Sequence, residues 1–141
     1  MRNAYRYLAM AIGASVVVQA AAIAFGMFGL AHDVDSGDVV VDKNYTGNFG
    51  FALHGIMGEM VIPLLALAFL IVGIVGRSID GALRWAAIVF GLVVLQFTLA
   101  MLAFGVPFIG LLHGMNALFI LLTSLKAVTV VPRTTLVTAG A

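Results

Sequence analysis

Residues 49–75 read FGFALHGIMGEMVIPLLALAFLIVGIV. The run is broken by one imidazole, His54, and one carboxylate, Glu59. A bilayer-spanning helix needs about 20 predominantly apolar residues, and this stretch exceeds that. It is a poor barrel strand, because barrel strands alternate apolar and polar over about ten residues. Inside a bilayer each backbone N–H and C=O must be paired within the segment, so a helix is the expected form.

Three more runs have the same character: about 7–30, 83–104 and 108–131. The reading is a single all-α domain over 1–141, a four-helix transmembrane bundle. Composition agrees. The chain is 63% hydrophobic and 9% charged, against about 25% charged in a soluble domain. The net charge of +1 gives no reason to expect a nucleic-acid partner. No cysteine is present, which excludes disulfides, thiolate metal sites, iron–sulfur ligation and covalent c-type haem attachment. The first run follows Arg2 and Arg6 and contains QAAA, so it mimics a signal peptide. Its apolar length exceeds the ~7–15 residues of a signal core, and it reads as a span.

Basic residues set the expected orientation. Arg2 and Arg6 precede the first span, Arg77 and Arg84 flank the second connection, and Lys126 and Arg133 close the fourth span. The first connection, 31–48, carries Lys43 against Asp33, Asp35, Asp38 and Asp42. The positive-inside rule then places both termini in the cytoplasm and the acidic loop outside. The aspartate spacing does not match an EF-hand calcium loop. The loop reads as solvated, with a short extended piece at Val39–Val41.

The chain also repeats itself. VVVQAAAIAFG at 16–26 resembles VVLQFTLAMLAFG at 93–105, and FALHGIMGEM at 51–60 resembles GLLHGMNAL at 110–118. Each half is a hairpin with Gln on the rising helix and Leu-His-Gly near the start of the descending one. Between Gln19 and His54 lies the acidic loop; between Gln96 and His113 lies only GVPFIG. The halves form a parallel repeat, whose pseudo-twofold axis is expected along the membrane normal. His54 and His113 then fall at one depth, about five residues or roughly 8 Å inside the outer helix ends, and face each other across the bundle. Ionisable groups at such depth are costly and mark candidate sites.

Several chemistries suit two opposed histidines. They supply both axial ligands of a b-type haem, with Gly55, Gly58 and Gly114 giving the flat macrocycle room and Phe51, Phe108 and Phe119 available to line it. Asn116, three residues after His113, shares its helix face. Alternatively the pair binds a bare metal ion, although a zinc site needs four ligands. Glu59 lies about 140° around an α-helix from His54, at about 100° per residue, and is expected to point elsewhere, toward the first helix. Glu59 with Gln19 or Gln96 forms a third candidate, a proton or quinone site. A fourth reading is structural, with both histidines hydrogen-bonded and no cofactor. Gly13, Gly26, Gly91 and Gly105 offer small faces for helix packing.

The residues Gln19, His54, Gln96, His113 and Asn116 resemble the pattern of a family of small bacterial four-helix membrane proteins of unknown function. The resemblance implies a multi-pass protein of the inner (plasma) membrane and assigns no activity. In layout the chain is also similar to one four-helix half of haem A synthase, which has a histidine on helix two and another on helix four. That likeness implies that His54 and His113 ligate haem. Gly55 stands where that enzyme has Arg after its histidine, and one bundle replaces two, so only ligation carries over. The cytoplasmic side lacks a histidine for a second haem, which argues against a transmembrane electron wire. The expected function is a haem-binding, redox-associated protein or an accessory subunit of a respiratory assembly. The alternative is a cofactor-free structural or assembly subunit, or a quinone or proton site.

Overall fold

The computed structural model describes residues 1–131. Four helices account for most of them: α1 (Arg2–Asp35), α2 (Phe49–Val75), α3 (Ala82–Gly105) and α4 (Ile109–Val130). Each is long and apolar enough to cross a membrane, and no strand occurs among the described residues. Hydroxyls within the helices bond to carbonyls one turn back: Thr98 to Val94, Thr123 to Phe119 and Ser124 to Ile120. Such bonding satisfies these hydroxyls within their own helices.

Helix α1 is longer than the sequence suggested. It begins at Arg2 and runs through Ala31–Asp35, residues expected in the loop. Nothing in that stretch breaks a helix. The stop comes at Ser36, whose hydroxyl bonds the Asp33 carbonyl, and at Gly37, where φ is +81°. Val39–Val41 form no strand. Asn48 organises the start of α2. Its Oδ1 accepts from the Gly50 and Phe51 amides, and its Nδ2 donates to the Gly26 carbonyl at 2.8 Å. It caps one helix and ties it to the other.

Helix α2 is not a uniform α-helix. Residues Met57–Val61 form a π turn, closed by the Ile62 amide on the Met57 carbonyl, five residues back. Pro63 supplies the cause. It has no N–H to give the Glu59 carbonyl, and its ring clashes with that carbonyl in a regular helix. One wide turn relieves the conflict.

The helices form a ring in chain order, each packed against its two neighbours. The core lies in the half nearest the chain termini. Tyr5, Ala9, Ile12 and Val16 meet Ile62, Ala66 and Phe69 of α2, Ala82, Ala86, Val89 and Val93 of α3, and Ile120 and Ala127 of α4. The Tyr5 hydroxyl donates to the Ala82 carbonyl at 3.0 Å, and its ring lies 4.6 Å from that of Phe69. Arg6 donates to the carbonyls of Val128 and Val131, satisfying the C-terminal end of α4. Gly73 lets α2 approach α3, since a Cβ there would stand 2.6 Å from that of Ala86.

Toward the loop end each hairpin holds to itself. Gly50 crosses Gly26 so closely that a Cβ on it would collide with the Gly26 backbone, while Val106–Phe108 join α3 to α4 in a short turn. Gly13 and Gly26 are buried inside the bundle; Gly91 and Gly105 have open space beside them. With the shared core confined to the other half, the hairpins diverge toward the loops and leave a cavity between them.

Candidate functional site

His54 and His113 face that cavity from diagonally opposed helices, their ring centroids 6.4 Å apart and their planes at 65°. Each imidazole is anchored in the same way. His54 Nδ1 lies 3.3 Å from the Gln19 carbonyl oxygen on α1, and His113 Nδ1 lies 3.2 Å from the Gln96 carbonyl oxygen on α3. A carbonyl only accepts, so Nδ1 carries the proton in both rings. In the neutral imidazole the lone pair then sits on Nε2. The duplicated sequence thus yields a duplicated pair: a His on the descending helix donating to the backbone of the Gln on the rising helix.

The cavity measures about 760 Å³, within the usual range of roughly 300–1,000 Å³ for small-molecule sites. All four helices line it. Gln19, Gln96, Gly55, Gly58, Glu59 and Gly114 contribute alongside the two histidines, with apolar walls that include Phe51, Phe97 and Phe104. Phe108 and Phe119 are exposed on the outside of the bundle and do not line it. At Gly55 and Gly114 an added Cβ would meet nothing within 4 Å, so these glycines enlarge the cavity rather than admit a neighbouring helix. At Gly58 an added Cβ would stand 2.7 Å from Gln19 Nε2, so that glycine seats the Gln19 side chain.

Glu59 is exposed and is among the residues that line the cavity, one helical turn after Gly55. Glu59 makes no hydrogen bond with Gln19 or Gln96 among the described residues.

Asn116 is buried behind the site. Its Nδ2 donates to the Leu92 carbonyl at 2.9 Å and to Gln96 Oε1 at 2.8 Å. Gln96 Nε2 in turn lies 3.1 Å from His113 Nε2. Asn116 therefore reaches His113 through Gln96. In the other hairpin Gln19 Oε1 is buried without a partner.

Among the described residues no three of His, Asp or Glu gather as ligands for a bare metal ion. Two opposed imidazoles suit a centre that brings its own equatorial ligands, as a haem does. No family model, curated protein or solved structure matches the chain.

Proposed function

We propose that the protein holds a b-type haem between His54 and His113 in the plasma membrane and serves a redox system there, as an accessory subunit of a respiratory assembly. Both termini face the cytoplasm and the acidic 31–48 stretch faces outward. The observation that carries this reading is the paired Nδ1–H donation to the Gln19 and Gln96 carbonyls. A metal-ligating histidine ordinarily gives its other ring N–H to such a carbonyl, which fixes the tautomer and raises the basicity of the ligating nitrogen.

The ring centroids, 6.4 Å apart across the cavity, are near enough that both imidazoles would hold one haem iron. A haem bound here supplies one-electron chemistry. The chain's own contribution is the two neutral imidazoles, the open space beside Gly55 and Gly114, and largely apolar walls. The likeness in layout to half of haem A synthase fits this role of ligation.

The test is the visible spectrum of protein purified after expression with haem supplied. A haem absorption band is expected in the wild type. His54→Ala and His113→Ala should each weaken or remove it, since both ligands serve one iron. A colourless, fully folded wild type would end the haem reading. A second reading, a cofactor-free bundle, is favoured by one observation: the Gln96 amide already satisfies His113 Nε2. On that reading the protein is colourless, and either substitution lowers stability by about 0.6–2 kcal/mol, the worth of an interhelical hydrogen bond in a membrane.

A further inference from the structure

The two hairpins share the imidazole–carbonyl pair but differ one step further out. At His113 a chain of bonds is directed from the backbone. The Leu92 carbonyl only accepts, so Asn116 presents its amide nitrogen, and the second proton of that amide goes to Gln96 Oε1. Gln96 is left with its Nε2 end toward His113 Nε2, as the donor. At His54 the corresponding parts are not joined. Met57 stands three residues after His54, where Asn116 stands after His113. A thioether has no N–H to orient a glutamine. The Gln19 carboxamide rests against Gly58 instead of His54, with its Oε1 unpartnered.

We propose that Gln96 is a displaceable cap on the His113 lone pair, latched by Asn116, so that His54 is the standing ligand of the site and His113 the exchangeable one. The inequality of the two imidazoles is a property of the chain alone; its consequence for a bound iron rests on the haem reading. With His113 capped, a haem held by His54 would be open to a small neutral ligand with a lone pair, such as carbon monoxide or free imidazole. Gln96 then provides an N–H donor in the pocket, and distal donors of this kind govern whether a haem binds exogenous ligands or only passes electrons. Both histidines are partly buried, and the cap is what the Gln96→Leu comparison isolates.

The cap is tested on haem-free protein in detergent micelles. Diethyl pyrocarbonate acylates the free imidazole lone pair, and the rate at each histidine is read by mass spectrometry of peptides. His113 should react about threefold to tenfold more slowly than His54, the ratio set by one net hydrogen bond. Gln96→Leu should bring the two rates within about twofold. Equal rates in the wild type, or an unchanged His113 rate in Gln96→Leu, would overturn the cap. If Gln96→Leu does not fold, 15N imidazole spectra of the wild type decide. The His113 Nε2 resonance should show the upfield shift of a hydrogen-bonded acceptor, and coincident His54 and His113 resonances refute the proposal. In reduced, haem-loaded protein, Gln96→Leu should lower carbon monoxide affinity about threefold to tenfold, because an uncapped His113 competes better for iron. An unchanged affinity overturns the exchange. Protein that takes up no haem overturns the axial-pair reading, while the cap stands or falls on the haem-free measurements.

Discussion

Two glycines five residues apart on α2 should respond to the same substitution with opposite signs. At Gly50 an added methyl would collide with the Gly26 amide nitrogen and lie 2.6 Å from both the Ala22 carbonyl oxygen and the Gly26 Cα. These are backbone atoms of a packed helix and cannot rotate aside. Overpacking of this kind costs about 1–3 kcal/mol, and the better helix propensity of alanine returns only about 0.5–1 kcal/mol. Gly50→Ala should therefore destabilise the fold by about 1–2 kcal/mol and push α1 and α2 apart at the loop end. Gly55→Ala meets nothing within 4 Å, so it should keep the propensity gain and stabilise by up to about 1 kcal/mol. The same methyl projects into the cavity beside His54, so Gly55→Ala should reduce haem uptake while the protein becomes harder to unfold. Reversible unfolding in mixed micelles, followed by circular dichroism, measures the first effect, and the ratio of haem to protein absorbance the second. A Gly50→Ala variant at least as stable as Gly55→Ala would refute the close crossing of α1 and α2 at Gly26.

Arg6→Met keeps the aliphatic stem but loses the bonds to the Val128 and Val131 carbonyls. It should cost about 1.5–3 kcal/mol, as for hydrogen bonds to a charged group, and speed amide exchange in the last turn of α4. Glu59→Gln should leave stability within about 0.5 kcal/mol, because no hydrogen bond of the Glu59 carboxyl would be lost; a larger loss in thermal unfolding would show that the carboxyl holds the π turn together. A topology reporter fused after Ala141 should register as cytoplasmic and one inserted at Gly37 as external. A cytoplasmic signal from Gly37 would invert the assignment and put both histidines near the inner face.

The sequence by itself determined the helices and their order. Runs of apolar residues this long leave the backbone no partner but itself, so the elements follow from composition and length alone. The errors fell at the ends of α1, where residues 31–35 are polar enough to read as loop yet contain nothing that stops a helix. The repeat of Gln and Leu-His-Gly was also legible, and it placed two imidazoles at one depth. What the sequence hid is how they are held. Each Nδ1 donates to a backbone carbonyl, an atom every residue carries, so nothing in the identity of Gln19 or Gln96 announces that bond. Glu59 joins the cavity lining with Gly55, one turn earlier, and only the packing of the helices shows which residues a cavity gathers. The inequality of the two halves shows only in the tertiary structure. Gln19 and Gln96 are the same residue at matching positions, but Gln96 has Asn116 across from it, while Gln19 rests against Gly58. A carboxamide points where its partners on neighbouring helices direct it, and those partners become neighbours only when the helices pack.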